Sequence, residues 1–88
     1  MLTLYSKTVC PYCVNAKNFL RSKNISFEEV NIEESDAARQ FIIDKGHRTV
    51  PQIYFQNELF VEGGFQGLSK MSEHDIRERM NLTNLGTL

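Results

Sequence analysis

The chain has two cysteines, three positions apart in the segment Thr8-Val9-Cys10-Pro11-Tyr12-Cys13. Two sulfurs at this spacing can close a permanent disulfide, contribute to a metal site, or exchange a disulfide with a substrate. The rest of the sequence has to discriminate among these three kinds of chemistry.

A permanent structural disulfide is disfavoured by the expected location of the protein. The first residues, Met1 to Tyr5, lack the basic segment followed by a long apolar run that marks a secretory signal, so we expect a cytoplasmic protein. Thiols stay reduced in that compartment, and a disulfide that closes so short a loop adds little stability.

A structural zinc site is the main rival interpretation of the two sulfurs. Such a site needs four ligands, and only His47 and His74 could join Cys10 and Cys13. The two histidines are far apart and do not have the spacing of a zinc motif. We therefore expect no metal.

Composition excludes several broad classes of protein. The 88 residues are 41% hydrophobic and 24% charged, which is typical of one folded globular domain. The net charge of −1 gives no strong attraction to nucleic acid or to a membrane surface. The apolar runs are too short to span a bilayer. We expect a single domain over residues 1–88, with a frayed tail over 81–88.

Hydrophobic periodicity and turn residues predict strands that alternate with helices, followed by a hairpin and closing helices. Pro11 suits the first turn of a helix, Ser72 and Asp75 fit a capping box, and Gly63-Gly64 breaks the chain before the last helices. The predicted elements are a strand over 2–6, a helix from Pro11 to about Lys23, a strand from Ile25 to Ile32, a helix capped by Ser35 or Asp36 and ended by Gly46, a hairpin of 51–55 and 59–61 around a 56–58 turn, and one or two short helices.

This order predicts an α/β fold with a four-stranded mixed sheet. A strand–helix–strand unit gives a parallel pair with a right-handed crossover, and the hairpin adds an antiparallel pair. Three to four helices are expected to cover both faces of the sheet.

The predicted position of Cys10 at the start of the first helix determines its chemistry. Unpaired N–H groups and the helix dipole stabilise a negative charge there, and Lys7 adds a nearby positive charge, so we expect an exposed sulfur with a lowered thiol pKa. Cys13 lies one turn further on the same helix face, within reach of Cys10. The pair can therefore exchange disulfides in two steps, because Cys10 attacks a substrate and Cys13 releases it. A C-x-x-C beside a strand–helix–strand unit resembles the thioredoxin-like redox motif.

Three motifs in order make the chain similar to the dithiol glutaredoxins: Cys10-Pro11-Tyr12-Cys13, Thr49-Val50-Pro51 and Gly63-Gly64. The resemblance covers Leu2 to about Met80. It implies a thioredoxin-like fold, glutathione as reductant, and a cis peptide bond before Pro51. That turn would leave the backbone of Val50 open to an extended ligand.

The resemblance also implies residue roles. Lys7 would pair with the glycyl carboxylate of glutathione, Tyr12 would pack beside the tripeptide, and N–H groups after Gly64 would hold the γ-glutamyl carboxylate. The implied catalytic residues are Cys10 and Cys13, and the implied glutathione-binding residues are Lys7, Tyr12, Thr49, Val50, Pro51, Gly64, Phe65 and Gln66.

The chain departs from the glutaredoxin pattern at two places. Gln66 and Gly67 stand where relatives commonly carry an acid that grips the γ-glutamyl ammonium, so we expect weaker glutathione binding. Ala38 stands near a position that is often polar or basic in relatives. Arg39 or Arg48 could replace that side chain, or both could be solvated surface charges.

The sequence therefore predicts a glutathione-dependent thiol–disulfide oxidoreductase that reduces protein disulfides and glutathione mixed disulfides. The resemblance implies a monomer and makes ribonucleotide reductase a candidate recipient. One alternative is a redoxin that thioredoxin reductase reduces. A second, less favoured, is a module that binds an iron–sulfur cluster through Cys10 and glutathione.

Overall fold

The computed structural model of this protein describes the backbone of residues 1–85 and the side chains of residues 1–81. Its elements are β1 (Leu2–Ser6), α1 (Pro11–Ser22), β2 (Phe27–Asn31), α2 (Asp36–Asp44), β3 (Gln52–Phe55), β4 (Glu58–Val61), α3 (Gly64–Leu68) and α4 (Glu73–Leu85).

The strands form one mixed sheet in the order β2-β1-β3-β4. β1 and β2 are parallel, with Leu2 opposite Phe27, and β3 is antiparallel to both β1 and β4. The predicted four-stranded mixed sheet, with four helices, is confirmed.

Helices cover both faces of the sheet. Successive side chains of β1 point to opposite sides, so β1 presents apolar side chains to helices on each face. Leu2 and Leu4 are fully buried and belong to the main core together with Ala16 and Leu20 of α1. Burial of each large apolar side chain contributes roughly 1.5–3 kcal/mol. The other face carries Tyr5, whose ring stacks on Phe41 of α2 at 5.6 Å and meets Tyr54 edge-on at 5.6 Å.

The predicted helix caps are present. Ser35 accepts a hydrogen bond from the Ala38 backbone N–H at 3.2 Å and begins α2. Ahead of α4, the Ser72 N–H donates to Asp75 at 3.2 Å, and the Asp75 N–H donates to the Ser72 hydroxyl at 3.0 Å.

Turn geometry explains two of the differences between the predicted and the observed element boundaries. β2 begins at Phe27 instead of Ile25, because Ile25 N–H closes the end of α1 on the carbonyl of Leu20 at 3.0 Å. The hairpin turn contains only Gln56 and Asn57, both with positive φ (53° and 66°), as a tight two-residue turn requires. Glu58 therefore belongs to β4.

The predicted fraying of the tail over 81–88 stays a prediction. α4 continues to Leu85, so residues 81–85 are helical, since each residue added to an existing helix gains a backbone hydrogen bond. Residues 86–88 lie outside the described residues. The single-domain extent over 1–88 stays a prediction.

Candidate functional site

Cys10 is the N-cap of α1, directly after the loop that leaves β1. Its backbone is extended (φ −153°, ψ 94°), and its Sγ accepts a hydrogen bond from the Cys13 N–H at 3.1 Å. The two cysteines form a disulfide, with their Cα atoms 5.2 Å apart. The sequence therefore placed both sulfurs correctly, at the first turn of a helix that begins with Pro11.

The loop before Cys10 is fastened to the chain that follows β2. The Thr8 N–H donates to the Glu33 carboxylate at 2.6 Å, and the Asn31 amide donates to the Thr8 hydroxyl at 3.3 Å. The hydrogen bond from the Thr8 N–H, and a second from the Thr8 side chain, hold the pKa of Glu33 below its ordinary value, with the charge of Lys7 as a smaller cause. Glu33 therefore helps to fix the position of the cysteine loop.

The expected exposure of Cys10 is wrong for the disulfide form. Cys10 is 7% exposed and Cys13 is 1% exposed. The Cys10 sulfur lies over the first turn of α1, 3.1 Å from the Cys13 backbone nitrogen, and 3.7 Å from the carbonyl oxygen of Val50. The neighbouring Val9 and Tyr12 side chains are instead well exposed, at 78% and 56%.

A groove of about 600 Å³, which we call the central groove, is lined by Tyr12 and Val50, two neighbours of the disulfide, and by neither cysteine. The Val50–Pro51 peptide bond at its side is cis, as the resemblance implied. Seven of the eight predicted glutathione-binding residues line the central groove: Tyr12, Thr49, Val50, Pro51, Gly64, Phe65 and Gln66.

Lys7 lies in a different place from the other predicted residues. It lines an adjoining space of about 270 Å³, the basic cavity, together with Arg39 and Arg48. Thr49 and Val50 line both spaces. Both arginines considered as replacements at the Ala38 position therefore reach this region, next to the central groove.

Two contacts shape the walls of the central groove. Gly64 has φ +57°, and a Cβ at this position would lie 2.8 Å from the Pro51 carbonyl oxygen, so only glycine fits without displacement. The Tyr12 ring stacks on Phe65 with centroids 6.4 Å apart, and Phe65 meets Phe19 edge-on. The exposed tyrosine is thus held by an aromatic row.

The groove residues that sequence reasoning missed include three with ionisable side chains, Lys45, His47 and Glu62. His47 Nε2 lies 2.6 Å from the hydroxyl of Tyr54, which is 3% exposed and whose pKa is raised by burial and by Tyr5. Their positions in the sequence could have indicated them, because His47 follows Gly46 at the end of α2 and Glu62 precedes the glycine pair.

A buried polar contact near the end of β1 was also missed. The fully buried Ser6 hydroxyl donates to the Glu29 carboxylate at 2.8 Å, and Lys17 of α1 lies 3.0 Å from the same oxygen. The Ser6 hydrogen bond is the main cause that lowers the pKa of Glu29, followed by that of Lys17. This contact ties α1 to β1 and β2 one turn after Cys13.

Over the part of the chain that the structure describes, no helix is long and apolar enough to cross a membrane. The same residues contain no group of three or more His, Cys, Asp or Glu side chains that could hold a metal ion.

Comparison with known proteins identifies the family. The glutaredoxin family model matches residues 2–60. The chain therefore belongs to the glutaredoxin family, and its Cys10/Cys13 pair fits the dithiol type. Family membership together with this cysteine pair supports thiol–disulfide oxidoreductase chemistry.

Two curated relatives show the extent of the sequence similarity. Glutaredoxin 3 of Escherichia coli (strain K12) is 46% identical over 52 residues, which are 58% of this chain and 63% of that protein. A probable glutaredoxin of Synechocystis is 39% identical over 80 residues, which are 89% of this chain and 69% of that protein. The match therefore spans less than two thirds of the Escherichia coli protein.

Solved structures show the same fold. A crystal structure of a buckwheat glutaredoxin–glutathione complex has a TM-score of 0.72 and 21% identity, and the match covers 91% of this chain and 76% of that chain. The predicted thioredoxin-like fold is confirmed.

Proposed function

We propose that this chain is a glutathione-dependent thiol–disulfide oxidoreductase that reduces protein disulfides and glutathione mixed disulfides. The observation that carries the proposal is the Cys10–Cys13 disulfide at the start of α1, where Cys10 Sγ lies 3.7 Å from the carbonyl oxygen of Val50, which lines the central groove together with Tyr12 and Gly64. Cys10 and Cys13 are the catalytic residues.

The reaction begins from the reduced dithiol. The Cys10 thiolate attacks one sulfur of a substrate disulfide, the substrate S–S bond breaks, and the departing thiolate takes a proton. The Cys13 thiolate then attacks Cys10, releases the second substrate thiol and forms the disulfide that the structure contains. Two glutathione molecules restore the dithiol and leave as glutathione disulfide, so two electrons pass from glutathione to the substrate.

The start of α1 suits Cys10 to the attacking role. The Cys13 N–H points at the Cys10 sulfur, 3.1 Å away, and a hydrogen bond to a thiolate is stronger than one to a neutral sulfur. The helix dipole acts in the same direction. Each unit by which the thiol pKa falls corresponds to about 1.4 kcal/mol in favour of the thiolate.

Glutathione would lie across both the central groove and the basic cavity. Lys7, Arg39 and Arg48 supply positive charge for the glycyl carboxylate, and they lie next to Thr49 and Val50. The backbone of Val50 is the pairing partner for the peptide part of glutathione. At the far end, Gly64, Phe65 and Gln66 form the γ-glutamyl side of the groove.

The wider functional setting is part of the same proposal. The chain would act in the cytoplasm as a monomer, with glutathione as co-substrate. Its recipients would be proteins with accessible disulfides, and the family resemblance makes ribonucleotide reductase one candidate.

A comparison of reductants tests this proposal. The chain is assayed for reduction of a protein disulfide, first with glutathione, glutathione reductase and NADPH, and then with thioredoxin reductase and NADPH. We expect turnover with glutathione, and none from a Cys10→Ser control. Turnover with thioredoxin reductase, combined with no turnover with glutathione, would reject glutathione as the reductant.

A further inference from the structure

Glu62 is the one carboxylate among the described residues that line the central groove. The groove also contains one lysine, Lys45, whose ammonium lies over the Phe41 ring at 5.5 Å from its centroid. The positive charges of Lys7, Arg39 and Arg48 belong to the adjoining basic cavity. The basic cavity therefore carries three positive charges, whereas the central groove carries Lys45 and one carboxylate, which lies beside the glycine pair.

Glu62 is available to a ligand. Its side chain is exposed, and within residues 1–81 it forms no salt bridge. Glu29 and Glu73, by contrast, are engaged in salt bridges with Lys17 and Arg77. A cationic group in the groove would thus meet an uncompensated carboxylate.

The backbone of Glu62 also prevents an acidic side chain at position 67, where relatives commonly carry one near the glycine pair. A Cβ built on Gly67 would overlap the Glu62 carbonyl oxygen and would lie 3.0 Å from Val61 Cγ2. Position 67 therefore cannot carry an acidic side chain in this backbone. The adjacent Gln66 lines the groove but has no charge.

We propose that the Glu62 carboxylate binds the α-ammonium of the γ-glutamyl residue of glutathione. This assignment rests on the proposed function, because it identifies what recognises one end of that ligand. The ligand class is a thiol peptide. One end carries the carboxylate that the basic cavity would bind, and the opposite end carries a free ammonium. The Gln66 amide oxygen can accept a hydrogen bond from the ammonium, but only Glu62 adds a full negative charge, so the Glu62 interaction is an ion pair.

The test compares two probes that differ only in the ammonium. One is the mixed disulfide of a cysteine peptide with glutathione, and the other is the same disulfide with glutaryl-cysteinylglycine, which lacks the α-amino group. For Glu62→Gln we expect a KM about three- to fivefold higher for the glutathione probe, as for an exposed ion pair, and an unchanged KM for the glutaryl probe. Salt should reduce the difference.

Glu58→Gln is the matched control. Glu58 is also an exposed glutamate of the hairpin, but it does not line the central groove, so its variant removes the same charge without touching the site. We expect both probes to react with Glu58→Gln as with the unmodified chain.

The possible failures are distinguishable. An equal effect of Glu62→Gln on both probes, or no effect on either, would overturn the role of Glu62 while glutathione turnover by the unmodified chain remained. Absence of glutathione turnover in the unmodified chain would reject the proposed function and this assignment together.

Discussion

Replacement of Gly64 by alanine tests how the groove wall is built. Gly64 has φ +57°, and an added Cβ would meet the Pro51 carbonyl oxygen at 2.8 Å. Gly46 is a natural reference for stability, because it has φ +88° but no atom within 4 Å of its added Cβ. The two variants therefore share the cost of a left-handed backbone and differ in the close approach to Pro51.

The expected magnitudes follow from these two contributions. A left-handed backbone costs an alanine about 1–2 kcal/mol, partly offset by the reduced entropy of its unfolded chain, so Gly46→Ala should lower the free energy of unfolding by about 1 kcal/mol. Gly64→Ala adds an overpacked contact of about 1–3 kcal/mol, which gives a total loss of about 2–4 kcal/mol. In a domain of this size each 1 kcal/mol corresponds to a Tm decrease of about 4–8 °C.

Urea unfolding of the oxidised protein measures the free energy of unfolding for both variants. Steady-state reduction of a glutathione mixed disulfide gives KM for Gly64→Ala, which we expect to rise because Pro51 must move at the groove wall. Equal destabilisation by the two variants would contradict the proposed packing of Gly64 against Pro51. A large stability loss with an unchanged KM would show that this wall does not contact glutathione.

Other changes test the remaining contacts. Cys13→Ser should lose the reduction of protein disulfides but keep the reduction of small glutathione mixed disulfides, which needs only the first cysteine; parallel assays with both substrates check this. Ser6→Ala should raise the pKa of Glu29, which NMR titration measures, because it removes the largest cause of the lowered value. The folded pKa of Glu29 lies below its ordinary 4.5. The stability linked to the ionised Glu29 is therefore fully present above pH 4.5 and disappears as the pH falls through the folded pKa. The Ser6→Ala variant should accordingly lose less stability than the unmodified chain on acidification. Tyr54→Phe removes the partner of His47 and should lower the free energy of unfolding by about 1 kcal/mol in urea.

Local signals were sufficient to predict most of the fold. The spacing of Cys13, Ala16 and Leu20 and the position of Pro11 gave α1 to within one residue. Ser35 and Ser72 act as the caps that their sequence context indicated. These features depend on neighbours within one helical turn, which a single sequence contains.

Features that depend on distant parts of the chain were not accessible in the same way. The contact of Cys10 Sγ with the carbonyl oxygen of Val50 joins residues that are 40 positions apart in the sequence. The entry of Lys45 and Glu62 into the groove depends on how the segments after α2 and after β4 converge. The steric closure of position 67 depends on a backbone oxygen of Glu62, which residue types alone do not reveal.

Titration of the Cys10 thiol in the reduced protein is the most direct test of the central claim, that the start of α1 stabilises its thiolate. Ultraviolet thiolate absorbance of a Cys13→Ser variant isolates this sulfur and retains the backbone N–H of position 13. We predict a pKa well below the ordinary thiol value of about 8.5. A pKa at or above that value would contradict the account.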